Sequence, residues 1–128
     1  MIEITIPGKP VPKGRPRISV IRGRPHAYTP ETTRAAEEAM AWHLRSAWPG
    51  VVDEEAWFYV ECTFYVPKLT RSTRRGDGDN FLKLVCDSAT GIIWKDDSQV
   101  LDWIARVREG EPCTHIRIER MAVRDVAA

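Results

Sequence analysis

Trp57-Phe58-Tyr59-Val60-Glu61-Cys62-Thr63-Phe64-Tyr65-Val66 alternates without a break. One face, Phe58, Val60, Cys62, Phe64 and Val66, is wholly apolar; the other, Trp57, Tyr59, Glu61, Thr63 and Tyr65, is mixed. Aromatic and β-branched residues at period two suit a pleated, half-buried surface, so the stretch predicts a β-strand. Its unbroken apolar face predicts a central place in a sheet, under a second layer of structure.

Upstream, residues 1–6 alternate as a half-buried strand, with Ile2, Ile4 and Ile6 on one face. Residues 7–17 hold four prolines and two glycines, which predict an extended loop. Residues 18–21 read as a short strand and residues 22–25 as a turn. A helix is predicted from Thr29-Pro30, where threonine can cap the first amides and proline gives up a donor that has no partner there. Its packing face is Ala35, Ala36, Ala39, Met40, His43, Leu44 and Ala47, with His43 read as a packed histidine, and Pro49-Gly50 closes it.

Downstream, residues 67–78 read as a polar loop. A second helix is predicted over residues 79–90, with Asp79 as N-cap and Phe81, Leu84, Val85, Ser88 and Ala89 packing inward. After a turn at Lys95-Asp96-Asp97, residues 99–108 alternate as a strand with Leu101, Trp103, Ala105 and Val107 on one face. Residues 109–112 turn into a last strand over 113–123, predicted to form a hairpin with the strand before it. The fold class is α+β, a single-layer mixed β-sheet with two helices packed against it, in a single domain over residues 1–128.

The chain has 128 residues, enough for one domain with a real core, and 43% hydrophobic with 29% charged residues is the composition of a folded protein. Its apolar runs fall short of the roughly 18 to 20 residues that span a bilayer, and residues 1–25 lack a signal-peptide core, so a cytoplasmic location is expected. Cys62, Cys86 and Cys113 are too far apart for a zinc pair and read as reduced and buried. Of the five tryptophans, Trp42, Trp48, Trp57, Trp94 and Trp103, most are expected in the core and one or two at an interface or stacked on bases.

A net charge of +1 conceals an uneven distribution. Lys9, Lys13, Arg15, Arg17, Arg22 and Arg24 share a segment without acids, and a second run holds Lys68, Arg71, Arg74 and Arg75. Solvated loops would carry such charges too, but here the second run leads into Gly76-Asp77-Gly78-Asp79. Basic flanks around clustered carboxylates suit a cation-dependent enzyme acting on a polyanion. Asp77 and Asp79, separated by a glycine that allows a sharp turn, form a natural chelate, and Asp96 or Asp97 would add a third carboxylate. Such charges repel unless a cation joins them. Oxygen ligands without histidine or thiolate favour Mg²⁺, with Mn²⁺ as a substitute, and no organic cofactor is implied. Lys83, four residues after Asp79, is placed to contact a phosphate or an attacking water.

Three segments carry a family resemblance: PGKPVPKGRPR over residues 7–17, GDGDNFLKLVCDSATGIIW over 76–94 and KDDSQV over 95–100. In order and spacing they resemble the RusA family of Holliday-junction resolvases. The resemblance implies a homodimer whose Mg²⁺-dependent sites make paired cuts in four-way junction DNA. By motif, Asp77, Asp79 and Asp97 are the implied metal ligands, Asp96 a supporting carboxylate at the metal and Lys83 a catalytic lysine; Asn80, Asp87 and Gln99 have support roles. Lys9, Lys13, Arg15, Arg17, Lys68, Arg71, Arg74 and Arg75 are the candidate DNA contacts. The competing reading is a non-catalytic DNA-binding module with a structural cation site. A nucleotide hydrolase fits poorly, because no phosphate-cradling glycine loop precedes a helix.

Overall fold

The structure is a computed structural model that describes residues 1–14, 17–28, 31–70 and 77–126. In chain order the elements are β1 (Ile2–Pro7), β2 (Arg17–Ile21), β3 (Arg24–Tyr28), α1 (Glu31–Ala47), β4 (Phe58–Val66), α2 (Asp77–Ala89), a 3₁₀ turn (Asp97–Gln99), β5 (Val100–Glu109), β6 (Cys113–Arg120) and α3 (Val123–Val126). The predicted start of α1 at Thr29-Pro30 lies outside the described residues.

Four strands form a mixed sheet in the order β1-β6-β4-β5. β4 is interior, as its apolar face predicts: Phe58, Val60, Cys62, Phe64 and Val66 are all buried, while the residues between them are half-buried. Burial of each large apolar side chain contributes about 1.5–3 kcal/mol. On the opposite face, Glu61 holds Arg106 at 2.7 Å and Arg117 at 3.8 Å. These open ion pairs add little, so the helix-facing side sets the register of β4.

α1 and α2 pack on each other, α1 against β1 and α2 against β4 and β5. The core joins Phe64 to Phe81, rings 5.0 Å apart, and Phe58 to Trp94 and Trp48 at 5.3 and 6.1 Å. On α1 the inward residues are Thr33, Met40 and Leu44, with Ala36 and Ala47 partly covered; Ala35 and Ala39 are exposed, contrary to their predicted place on the packing face. His43 is half-buried, edge-on to the exposed Trp42.

Several expectations are overturned. β5 and β6 do not form a hairpin: β5 pairs parallel with β4, and β6 pairs antiparallel with β4 and β1. Parallel pairing needs a crossover, and α2 supplies it between β4 and β5. Alternation reveals which face of a strand is buried but not which strand lies beside it. A second sheet, the hairpin β2-β3, accompanies the first; its turn is Arg22-Gly23, both at positive φ, so residues 24 and 25 belong to a strand and not to the turn. β6 ends at Arg120, short of the predicted residue 123, and α3 follows. Trp48 and Trp94 are buried, but Trp42, Trp57 and Trp103 are exposed, so most of the tryptophans are outside the core. All three cysteines are free; Cys62 and Cys86 are buried and Cys113 only half-buried.

Candidate active site

α2 starts at Asp77, two residues earlier than predicted. Asp79 is therefore inside the helix and is not its N-cap, and Asp77 is a helical residue, not a loop residue. Gly78 likewise makes no sharp turn. Its value lies in close packing: a Cβ there would sit 3.3 Å from Val107 Cγ2 and 3.8 Å from Ala105 Cβ, so glycine lets the first turn of α2 press against β5. The Asp77 side chain is outside the described set.

From this first turn Asp79 and Lys83, one helical turn apart, project together, with Lys83 Nζ 3.3 Å from Asp79 Oδ2. Both are more than half exposed, so the pair is readily exchanged for other partners. Asp97, at the head of β5, reaches the same place. Asp79, Leu82, Lys83, Cys86, Asp97, Val100 and Trp103 line one groove of about 160 Å³. Two of the described predicted ligands, Asp79 and Asp97, thus meet across 18 positions of chain, with Lys83 beside them.

The turn that carries Asp97 is firmly built. Asp96 caps it, accepting from Ser98 N at 3.0 Å. Gln99 closes the reciprocal half: its Oε1 accepts from Lys95 N at 2.9 Å and Asp96 N at 3.2 Å. Gln99 Nε2 then donates to the carbonyls of Asp53 and Ala56, both at 2.9 Å. Burial and the adjoining carboxyl of Asp96 hold the Asp97 carboxyl above its ordinary range, with Asp87 adding to the effect. The Ser98 amide and the hydrogen bond shared with Asp97 hold Asp96 below it. Burial, with Asp97 and Asp87 nearby, pushes the Cys86 thiol up to about 12. The groove thus carries more negative charge than Lys83 alone offsets.

Hard carboxylate oxygens suit a divalent cation of the Mg²⁺ type. Among the described residues no three His, Cys, Asp or Glu side chains form a metal-holding group. Asp96 is a capping residue in this structure, one carboxylate oxygen being committed to Ser98 N.

The predicted DNA contacts divide. Lys9 and Lys68, from the two separate basic runs, line one groove of about 410 Å³ with Pro10, Pro12, Val66, Pro67 and Phe81. Lys13 is engaged internally: Nζ lies 2.7 Å from Glu37 on α1 and 2.8 Å from Asp87 on α2, which hold its ammonium above the usual lysine range. Lys13 N also donates to Asn80 O at 3.0 Å. Arg17 is in β2, its side chain not among those described, and Arg15, Arg71, Arg74 and Arg75 lie outside the described residues.

The sequence reading missed Trp103 as a wall of the groove and the full role of Gln99. The spacing Asp96-x-x-Gln99 is a capping-box signal that points to the latter. No local signal separates Trp103 from a core residue of β5.

A relative from Bacillus subtilis (strain 168), uncharacterized protein YqaN, is 31% identical over 144 aligned residues, covering 99% of this chain and 98% of that protein. The family model for endodeoxyribonuclease RusA matches residues 7–119, which include both basic runs, the start of α2 and the Asp97 turn. With that match across most of its length and Asp79, Lys83 and Asp97 gathered in one groove, the chain belongs to the RusA family of Holliday-junction endodeoxyribonucleases.

Proposed function

We propose that this protein is a Mg²⁺-dependent, structure-selective endodeoxyribonuclease, one catalytic domain over residues 1–128, that resolves four-way junctions as a homodimer by paired symmetric nicks. The observation that carries the reading is the shared groove of Asp79, Lys83 and Asp97, side chains from two separate elements. Asp77, Asp79 and Asp97 would hold the cation, with Asp96 keeping the Asp97 turn in shape. The bound ion supplies Lewis acidity toward phosphate and water.

The remaining work falls to the chain itself. Lys83 presents its ammonium at the mouth of the groove, where an incoming phosphodiester can displace the weak contact with Asp79. Lys9 and Lys68, with Arg15, Arg17, Arg71, Arg74 and Arg75, neutralise backbone phosphates. Paired nicks require two such grooves, and each chain carries one, which supports a two-fold assembly.

A labelled four-way junction and a linear duplex incubated with the protein, in Mg²⁺ or in EDTA, test this reading. Paired nicks are expected on the junction alone and with metal alone. Asp79→Asn is expected to fold and to bind the junction without nicking it. Full activity in that variant would overturn the proposal, and junction binding without nicking by the parent protein would leave a DNA-binding module with a structural cation site.

A further inference from the structure

We propose that Trp103 is a stacking platform for an unpaired nucleobase beside the scissile phosphate, and that it biases the site toward branch points over continuous duplex. The inference rests on the endonuclease reading and adds a specificity residue to it.

The register of β5 carries the argument. Phe58 pairs with Val100, but Tyr59 pairs with Asp102, so Leu101 is an extra residue in a bulge. Without it, Asp102 would lie opposite Val60 and point to the helix side. With it, Trp103 lies opposite Val60 on that side and Asp102 on the other. Bulges re-aim side chains in this way. Four residues into the strand, Trp103 thereby joins the groove of Asp79, Lys83 and Asp97.

Trp103 is not there to fill the core. Its strand partner Val60 is fully buried, whereas Trp103 remains 52% exposed. β5 is an edge strand, and the part of α2 that shares the groove brings charged Asp79 and Lys83 together with Leu82 and Cys86. An indole left half in water next to carboxylates and an ammonium suits an occupant with a flat apolar surface and a charged group close together. An apolar protein surface laid over Trp103 would take Asp79, Lys83 and Asp97 out of water at a desolvation cost. A nucleotide meets both demands, its base facing the indole and its phosphate facing Lys83. Bases in continuous duplex are already stacked; bases at a branch or in a single strand have a free face.

The test uses a four-way junction with 2-aminopurine at the branch point, with Ca²⁺ in place of Mg²⁺ so that binding is read without cleavage. One base–aromatic stack corresponds to roughly 5- to 150-fold in affinity. Trp103→Ala is expected to weaken junction binding about tenfold. It should also abolish the 2-aminopurine signal while leaving linear-duplex affinity unchanged, and Trp103→Phe should retain most of both. Junction affinity and signal unchanged in Trp103→Ala would overturn the proposal. So would a change of assembly mass in that variant by light scattering, which would assign Trp103 to a contact between copies. Absence of Mg²⁺-dependent nicking by the parent protein, with the Trp103 effects present, would sink the endonuclease reading and leave the stacking site standing.

Discussion

Gln99 Nε2 donates to the carbonyl oxygen of Asp53 at 2.9 Å, a bond between residues 46 positions apart. Gln99 is buried, and its amide makes four hydrogen bonds that tie the loop between α1 and β4 to the turn bearing Asp97. The loop is itself anchored: Asp53 N donates to Ile93 O at 2.8 Å, and Asp53 Oδ2 accepts from Arg120 Nε at 2.8 Å. The Arg120 guanidinium stacks 4.7 Å from the Trp48 ring.

Replacing Gln99 by Leu removes all four bonds and leaves two carbonyls and two amides without the side-chain amide that satisfies them. Leaving buried polar groups unmade costs about 1–3 kcal/mol. Gln99→Leu should therefore lose stability in that range by urea titration, and its nicking of a four-way junction should fall with the placement of Asp97. Unchanged stability and nicking would show that β5 alone positions the turn.

Lys13 joins α1 to α2 through Glu37 and Asp87, and its backbone joins the proline-rich loop to Asn80. Lys13→Met should cost about 1 kcal/mol of stability, in line with two partly open ion pairs. It should leave the salt dependence of junction binding nearly unchanged, whereas Lys9→Gln or Lys68→Gln should each lower the salt slope by about one. Fluorescence anisotropy at several salt concentrations measures this; a slope lowered by Lys13→Met to the same extent would make Lys13 a phosphate contact.

Gly78 packs the first turn of α2 closely against β5. Alanine would gain up to about 1 kcal/mol in helix propensity. Its Cβ, however, would lie 3.3 Å from Val107 Cγ2, with Ala105 also near. A β-branched side chain in a strand has little rotamer freedom, and overpacking costs about 1–3 kcal/mol. Gly78→Ala should thus be net destabilising by about 1 kcal/mol. In a Val107→Ala background the same change should become neutral or stabilising, and a double-mutant cycle on unfolding midpoints reads the difference. Equal effects in both backgrounds would remove Val107 as the cause.

Asp53 supplies a pH signature. The Arg120 guanidinium, followed by the amides of Ala56 and Glu55, holds its carboxyl below the ordinary value of 3.8. The unfolded chain takes up this proton first as pH falls, so the contribution is full above that value and is lost as pH drops through the lower, folded-state value. Asp53→Asn should flatten the acid limb of the stability curve in that window, measured by urea midpoints from about pH 2 to 6. An acid limb identical to the parent's would show that other carboxylates account for it.

Much of the molecule was legible from the chain alone. Strict alternation over residues 58–66 marked β4 and its buried face, because a pleat exposes every second side chain to the same environment. The inward ridge Phe81, Leu84, Val85, Ser88 and Ala89 marked α2 for the equivalent reason at helical spacing. Asp79 and Asp97, read from the chain as parts of one carboxylate cluster, line one groove in the structure.

Only the tertiary structure decided the rest. The place of β5 beside β4 and not β6 follows from the crossover through α2, a long-range pairing that local periodicity does not encode. Gly78 proved to be a contact with Val107, not a turn, and Lys13 a clasp between helices, because each role depends on a neighbour distant in sequence. The bulge at Leu101 is the sharpest case: alternation put Leu101 on one face with Trp103, Ala105 and Val107, but only the pairing with β4 shows that Leu101 is an extra residue and that Trp103 borders the groove of Asp79 and Asp97.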